Sequence, residues 1–438
     1  MAPVVSGFSK LSKADKIKWL AEHHFNNDQN AVDTLITYWN SDNGLQQLHD
    51  EFTENTISNY YLPFSIAPNF LINGKRYTLP MTIEESSVVA AASKAAKFWQ
   101  NRGGFKANVI STTKVGQVHF MYKGDQEKLH RFFAVIKPKL LASVSHITQN
   151  MEKRGGGVQE IELRDMSTKI DHYYQLHCTF ETVDAMGANF INSCLEAFAK
   201  KMVSEAATYK DFSDSEKNIE IVMSILSNYV PDCLVNASVS CLIKELPNTE
   251  QLSSQQYAEK FVRAVQIAKI EPYRATTHNK GIMNGIDAVV LATGNDFRAI
   301  EAGVHAYASK DGQYTSLTHA EIKDDTFTFS IEVPLALGTV GGLTSLHPLV
   351  KLALQLLEKP NAKRLMEITA VAGLAQNFAA INSLITTGIQ QGHMKMHLMN
   401  ILNQFKATEE EKKQLVKYFE NHTVTHNEVV TQIEKLRN

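Results

Sequence analysis

The sequence has few cysteines, no long apolar run and little net charge, and each of these absences excludes a class of protein. No apolar run reaches the roughly 18 residues of a membrane span, and Met1 to Phe25 lacks the apolar core of a secretion signal. The formal net charge is −2, with acidic and basic residues mixed, so a nucleic-acid partner is not expected. No metal-type CxxC pair occurs, so we expect reduced core thiols in a cytoplasmic protein. The four cysteines are Cys178, Cys194, Cys233 and Cys241.

Three familiar ligand-binding motifs are also missing. No G-x-G-x-x-G follows a predicted strand, so a nicotinamide cofactor would not bind through a Rossmann fingerprint. The glycine-rich segment Gly338 to Thr344 lacks the Lys-Ser/Thr ending of a phosphate-binding P-loop. His393 and His397 have the spacing of two zinc ligands, but Met394 stands where a zinc protease has its glutamate, so no metal site is expected.

What is present indicates a soluble α+β protein. A chain of 438 residues with 44% hydrophobic content can form two or three domains. Near-helical spacing predicts a helix over Ser9 to Phe25, and Asn73-Gly74 predicts a hairpin turn within Phe70 to Leu79. Alternating strands and two helices then indicate a separate inserted α+β domain. Its expected strands are Ala107 to Ser111, Gln117 to Met121, Glu160 to Leu163 and Tyr173 to Val183.

The segment Glu271 to Arg298 concentrates polar groups before an apolar run. Lys280 follows a polar stretch and precedes the apolar residues Ile286 to Ala292. A lysine at the edge of a buried region needs an anion, and Asp296 could supply it if the chain returns to the same place. An ordinary surface ion pair is the alternative.

Two further segments allow both a structural and a functional interpretation. Thr82-Ile83-Glu84-Glu85 has the pattern of a capping box, in which Thr82 caps the following helix and Glu85 reaches back to it. Asp184 to Asn189 leads into an apolar helical stretch, with Asp184 as a possible N-cap. A small-residue turn at a helix start can also bind a dinucleotide pyrophosphate.

Six segments in this order resemble the conserved blocks of the class II form of 3-hydroxy-3-methylglutaryl-coenzyme A (HMG-CoA) reductase. The resemblance spans most of the chain, and the six together are highly specific. They are Met81 to Ser93, Asp184 to Asn189, Glu271 to Arg298, Gly338 to Pro348, Gly373 to Asn377 and Gly392 to His397. A seventh segment, Glu54 to Ser58, departs from the family's ENVIG block at Thr56 and Ser58.

This resemblance implies a discontinuous large substrate domain, an inserted non-Rossmann, ferredoxin-like dinucleotide-binding domain and a helical C-terminal flap. We expect the large domain at residues 1–106 and 221–377, the inserted domain at 107–220 and the flap at 378–438. It also implies a homodimer with the active site between subunits, which could assemble further into a hexamer, and no membrane partner.

By the same resemblance, the reaction is the four-electron reduction of HMG-CoA to mevalonate and CoA. Lys280 would stabilise the oxyanion, Glu85 would donate a proton from a carboxyl whose pKa is raised by burial, and His393 would protonate the CoA thiolate. Asp296 would lie between Lys280 and Glu85. The substrate would be held by Ser87, Arg274 and Asn284, and the cofactor by Asp184, Ala185, Met186, Gly187 and Asn189.

The choice between NADPH and NADH stays open. Between Glu127 and Glu152 the sequence has no acidic residue but has Lys137 and Lys139, which favours NADPH slightly. The alternatives are reaction in the oxidative direction, a different acyl-CoA substrate, and a non-catalytic protein that binds CoA or a nucleotide.

Overall fold

The computed structural model describes residues 4–386, 388, 398–419, 422 and 424–437. The chain divides into two compact units, Met1–Pro63 and Phe64–Asn438. The helices of the first unit are α1 (Lys13–His24), α2 (Gln29–Thr37) and α3 (Asn43–Asp50). Each begins at a serine or aspartate whose side chain accepts a first-turn N–H, which explains where the helices start.

The segment that departs from the ENVIG block lies in this first unit. Asn55 has a positive φ of 60°. The Thr56 hydroxyl donates to the carbonyl of Thr53 at 2.9 Å, and the Ser58 hydroxyl donates to the carbonyl of Leu35 at 2.6 Å. Both substituted side chains therefore bind backbone within their own unit.

The second unit contains three antiparallel sheets. Its strands are β1 (Phe64–Ile72), β2 (Lys75–Thr82), β3 (Lys106–Val109), β4 (Lys114–Met121), β5 (Gly157–Asp165), β6 (Tyr173–Glu181), β7 (Glu220–Leu226), β8 (Leu234–Leu242), β9 (Thr318–Lys323) and β10 (Thr326–Pro334). Its helices up to residue 386 are α4 (Val88–Gln100), α5 (Gln126–Ser143), α6 (Ser145–Glu152), α7 (Ala188–Thr208), α8 (Ser254–Ile270), α9 (Pro272–Ala292), α10 (Phe297–Tyr307), α11 (Leu343–Leu346), α12 (Pro348–Leu356) and α13 (Ala362–Ile385).

The first sheet is the hairpin of β1 and β2, whose predicted turn is confirmed. Asn73 and Gly74 both have positive φ, 48° and 81°, as a two-residue hairpin turn requires. The predicted capping box is wrong, because Thr82 pairs with Phe64 as the last residue of β2. Helix α4 begins instead at Ser87, which has a φ of 75° and makes no side-chain cap.

The second sheet has the strand order β3-β8-β10-β9 and carries the largest hydrophobic cluster. The expected strand at Ala107 to Ser111 is β3, which pairs with β8 and so belongs to this sheet, not to the inserted region. Helices α8 and α13 pack on the sheet, with Phe261 and Phe378 in ring contact 5.5 Å apart, and α9 packs against both helices.

The third sheet has the order β5-β6-β4-β7 and a separate core. The chain runs β4, α5, α6, β5, β6, α7 and β7, and the helices α5 and α7 pack against each other. Strand β7 continues to Leu226, past the expected boundary at 220, because it pairs with β4 as far as Gly116.

Helix α9 is a single element of 21 residues that contains both the polar and the apolar part of the segment around Lys280. Glu271 caps it, accepting the N–H groups of Tyr273 and Arg274, and Pro272 occupies its first turn. Helix α13 crosses it closely, since a Cβ on Gly285 would lie 2.4 Å from the carbonyl oxygen of Ala372. The chain does not turn back after Lys280.

Helix α13 bears on two expectations. It has the length and hydropathy of a membrane span, although 72% of its apolar window is buried inside the protein, as in the core helix of a globular domain. It also runs through the expected boundary at 377/378 without interruption. Beyond it, the helices Glu409–Tyr418 and His426–Arg437 and helical residues 398–404 share a small cluster that includes Leu402 and Val429.

Candidate active site

A cavity of about 220 Å³ brings together five of the residues predicted to act on the substrate. We call it the Lys280 cavity. It is bounded by the start of α4, one face of α9 and the second half of α13. The five residues are Glu85, Ser87, Arg274, Lys280 and Asn284. Arg274, Lys280 and Asn284 are presented by one continuous helix, which fixes their relative positions.

Lys280 and Glu85 form an ion pair in this cavity. The Lys280 Nζ donates a hydrogen bond to the Glu85 Oε2, and the two side chains are 59% and 35% exposed. Glu85 is held by the irregular segment between β2 and α4, and not by a helix cap. The pair places a cation and a carboxylate next to each other with access to the cavity.

Arg274 is a half-buried cation whose guanidinium contacts no carboxylate among the residues that the structure describes. Burial lowers the pKa of its guanidinium, which nevertheless stays charged at neutral pH. A partly desolvated cation without an anion is costly, so a ligand carboxylate would be stabilised here. Ser87 lines the same cavity and is held in the left-handed region, where strain is typical of functional sites.

The cavity also contains residues that the sequence reasoning missed, namely Thr277, His278, Gln376 and Asn377. Burial lowers the pKa of His278 to about 3, and the Arg274 charge adds to the effect, so its imidazole is neutral. Its Nε2 lies 2.6 Å from the Thr318 hydroxyl, which donates to the Asn377 side-chain oxygen at 3.2 Å. The spacing of Arg274, Thr277 and Asn284 on one helix face could have identified Thr277.

Asp296 does not join Lys280 within one chain, contrary to expectation. The Asn295 N–H bonds to the Val290 carbonyl at 3.0 Å, so this turn stays at the end of α9. Ten residues of helix separate Lys280 from Val290, which corresponds to about 15 Å. The Asp296 carboxylate instead caps α10 through the Ala299 N–H at 3.2 Å and contacts Arg298.

A second cavity, of about 400 Å³, is lined by Asp296 together with four of the five residues predicted to bind the cofactor. We call it the Gly187 cavity. Ala185, Met186, Gly187 and Asn189 line it from the start of α7, and the glycine-rich segment from Gly338 to Thr344 lines the opposite side. Helix α7 has no side-chain cap, so its first-turn N–H groups are available to an anionic ligand.

Asp184 does not cap α7, contrary to the prediction. The cap is Gly187, which has a φ of 92°. The Asp184 carboxylate instead accepts the N–H of Ala362 at 2.8 Å, in the first turn of α13, and its backbone carbonyl accepts the N–H of Thr339 at 2.8 Å. Asp184 therefore fixes the loop that precedes α7 to the large sheet's helices, and it is absent from the cavity lining.

Other predicted residues have simpler outcomes. His393 and His397 lie outside the described residues. Lys137 and Lys139 form surface ion pairs with Glu160 and Glu205. Among the described residues, no group of three or more His, Cys, Asp or Glu side chains could hold a metal ion.

A buried carboxyl pair lies farther along α9, outside both cavities. Asp287 and Glu301, on α9 and α10, are joined by a side-chain hydrogen bond. Burial, with the Glu301 charge as the second cause, raises the pKa of Asp287 to about 8. Asp287 therefore keeps its proton at neutral pH.

Comparison with known proteins identifies the family. Residues 13–398 match the model of the hydroxymethylglutaryl-coenzyme A reductase family. The chain is 35% identical to the HMG-CoA reductase of Archaeoglobus fulgidus over 94% of its own length and 89% of the relative's. It is 34% identical to a probable HMG-CoA reductase of Borreliella burgdorferi, covering 92% of the chain and 89% of that protein.

Solved structures agree. The class II HMG-CoA reductase of Streptococcus pneumoniae, determined with bound NADPH in open conformations, superimposes with a TM-score of 0.72. The two are 35% identical, and the alignment covers 94% of this chain and 99% of the other. The resemblance carried by the six sequence blocks is thus confirmed, together with an NAD(P)H-dependent oxidoreductase function. The chain belongs to the hydroxymethylglutaryl-coenzyme A reductase family.

Proposed function

We propose that this enzyme reduces HMG-CoA to mevalonate and CoA in the Lys280 cavity, consuming two reduced nicotinamides. The observation that carries the proposal is the half-buried Arg274 guanidinium, which has no carboxylate partner in the described chain and shares a cavity with the Lys280–Glu85 pair. Reduction of a thioester with a distal carboxylate needs one cation that binds this carboxylate. It also needs a second cation, next to an acid, at the thioester carbonyl. Arg274 and Ser87 would bind the carboxylate of the acyl group.

Lys280 and Glu85 divide the reductive chemistry between them. The first hydride adds to the thioester carbonyl, and Lys280 stabilises the resulting oxyanion, a contribution on the order of 3 kcal/mol. The C–S bond then breaks and leaves an aldehyde. The second hydride reduces that aldehyde while Glu85 gives a proton to its oxygen. Asn284, on the same face of α9, completes the hydrogen bonding around the oxygen.

His393 would protonate the departing CoA thiolate. The unperturbed pKa of an imidazole, about 6.5, suits proton transfer to a thiolate at neutral pH. We assign this step to His393 from the sequence block Gly392 to His397 alone. The helical C-terminal segment would act as the flap that carries it.

The Gly187 cavity would hold the nicotinamide cofactor, with its pyrophosphate at the uncapped start of α7. The strand order β5-β6-β4-β7 and the βαββαβ chain path support a ferredoxin-like domain inserted into a discontinuous substrate domain. The NADPH bound by the Streptococcus pneumoniae enzyme supports NADPH as the donor. Lys137 and Lys139 no longer argue for it, since both are engaged in ion pairs.

We further propose that the working unit is a homodimer in which Asp296 of one chain completes the Lys280 cavity of the other. Asp296 cannot reach Lys280 along its own chain, yet it lines the cavity assigned to the hydride donor. Five leucines next to that cavity, on α11 and α12, are between 38% and 53% exposed and would be covered by the second chain. They are Leu343, Leu346, Leu349, Leu352 and Leu356. We place the enzyme in the cytoplasm, which its four buried free thiols support.

The experiment is the loss of reduced-nicotinamide absorbance with purified protein, HMG-CoA and either NADPH or NADH. Two cofactors consumed per mevalonate formed are expected. Lys280→Ala should lower kcat at least about a hundredfold, as for other lost oxyanion contacts, while the exposed Lys310→Ala should match the wild type. Binding of HMG-CoA without turnover of either cofactor would support the non-catalytic alternative, and full activity of Lys280→Ala would exclude the assigned role.

A further inference from the structure

The loop that joins β6 to α7, residues 182–187, is strained at Val183 and therefore needs support from its surroundings. Val183 is a β-branched residue with a φ of 53°, and Gly187 has a φ of 92°. Conformations of this kind persist only where neighbouring groups hold them. Because this loop supplies Ala185, Met186 and Gly187 to the Gly187 cavity, whatever holds it also shapes that cavity.

Thr182 holds the loop from inside. Its hydroxyl donates to the carbonyl of Ala185 at 2.6 Å, and its own carbonyl accepts the Ala185 N–H at 3.0 Å. Its methyl group packs where a side chain on Gly187 would be, since a Cβ there would lie 2.4 Å from the Thr182 Cγ2. Thr182 is 1% exposed, so its position is fixed by packing as well.

Lys114 holds Thr182 from the neighbouring strand. Its Nζ donates to the Thr182 Oγ1 at 2.7 Å, and the residue is only 4% exposed. Because the single Thr182 hydroxyl hydrogen goes to Ala185, the Thr182 oxygen is left to accept from Lys114. The hydrogen bonds therefore run in one direction, from the ammonium through the hydroxyl to the loop carbonyl.

The position of Lys114 does not have an ordinary structural explanation. In the described part of the chain it forms no ion pair, whereas buried lysines normally have a carboxylate partner. It also borders a cavity of about 20 Å³, room for roughly one water, beside Met186 and Ala188. An ammonium is thus held, at a cost in desolvation, directly behind the loop and the first turn of α7.

We infer that Lys114 is a positioning residue for the nicotinamide cofactor, acting through Thr182 on the loop that precedes α7. It does not touch the reacting atoms; it fixes the loop carbonyl and the turn on which the cofactor pyrophosphate would rest. This rests on the proposed function of the Gly187 cavity. Lys114 does not line the Lys280 cavity, so its loss should affect the cofactor and spare HMG-CoA.

The test compares KM values for the two substrates in Lys114→Met, with Thr182→Ser and Lys128→Met beside it. Lys114→Met should raise KM for NADPH about tenfold, as expected for one lost charge-assisted hydrogen bond, with KM for HMG-CoA unchanged. Thr182→Ser keeps the hydroxyl and should stay closer to the wild type. Lys128→Met, which removes an ion pair to Glu216 elsewhere in the same domain, should change neither KM.

A double variant covers the case in which Lys114→Met folds poorly. Lys114→Met/Thr182→Val replaces both partners by apolar groups of similar shape, so that only the Ala185 carbonyl, at the Gly187 cavity, loses a donor. It should fold and show the same selective loss of NADPH affinity. An unchanged KM for NADPH, or an equal rise of both KM values, would overturn the inference.

Direct titration of NADPH fluorescence separates this inference from the proposed function. If the wild type binds NADPH but does not reduce HMG-CoA, the proposed reaction is wrong, and the ratio of dissociation constants still tests Lys114. If the wild type does not bind NADPH, both fail. If it turns over normally while Lys114→Met binds NADPH as tightly as the wild type does, only the positioning role fails.

Discussion

Two inactive chains should restore activity to each other when one lacks Lys280 and the other lacks Asp296. In a two-fold dimer each site would take Lys280 from one chain and Asp296 from the other. A mixed dimer of Lys280→Ala and Asp296→Asn then has one site with both residues intact and one site with neither. Selecting the mixed dimers through two different affinity tags removes both parental dimers, so the expected activity is about half of the wild type's.

The assignment of Lys280 and Asp296 to different chains follows from the geometry of α9. About 15 Å of helix lies between Lys280 and the turn that carries Asp296, and the Asp296 carboxylate already caps α10. Neither side chain can cover that separation within one chain. Since Glu85 contacts Lys280 directly, Glu85 must belong to the same chain's cavity.

That contrast supplies a matched control. Lys280→Ala paired with Glu85→Gln places both defects in the same chain's cavity, so each site of a mixed dimer stays damaged and no activity should return. The two chains are co-expressed with different affinity tags, purified through both, and assayed for NADPH oxidation. Equal recovery in both pairings, or none in the Asp296 pairing, would refute the division of the site between chains.

Three substitutions test individual features of the structure. Asp287→Asn should remove a decline in unfolding free energy between about pH 4 and 8, since only the folded state keeps the Asp287 proton in that range. The decline is at most about 1.4 kcal/mol per pH unit and is measured by urea unfolding. It should persist in the exposed Asp311→Asn. Ser87→Gly should relieve the positive φ and raise the unfolding free energy by about 1 kcal/mol, while KM for HMG-CoA rises because the hydroxyl is lost. Gly187→Ala should raise KM for NADPH, because the added Cβ would overlap the Thr182 methyl; an unchanged KM would contradict the tight packing.

The predictions that succeeded were those in which short-range chemistry decides the structure. Asn73-Gly74 is a hairpin turn because both residues tolerate positive φ, and no distant contact is needed to specify it. The strands Gln117 to Met121 and Tyr173 to Val183 were found within a few residues for the same reason, since alternation is a local property. Three of the five residues predicted to act on the substrate share one cavity because α9 carries them, while the role of each stays a prediction.

The capping box failed because a local pattern was overridden by strand pairing. Thr82 and Glu85 satisfy the spacing of the motif, but β2 extends through Thr82 to complete its pairing with Phe64. Helix α4 can therefore begin only after the strand has ended, with Ser87 as its N-cap. Asp184 failed similarly, since its carboxylate is used by Ala362, which is 178 residues away in the sequence. A local sequence pattern cannot predict a hydrogen-bond partner that is so far away in the sequence.

Lys280 and Asp296 show that a sequence pattern can identify reactive residues without predicting where they lie in the structure. The change from polar to apolar residues along Glu271 to Ala292 was compatible with a chain that returns to Lys280, yet α9 is continuous because its first half lines a cavity and its second half is buried in the core. Once the helix is continuous, its rise of about 1.5 Å per residue places the two charges too far apart to meet. Two residues that the proposed reaction needs together, fixed apart by a rigid element, can meet only if a second chain supplies one of them, so the rigidity of α9 supports the proposed dimer.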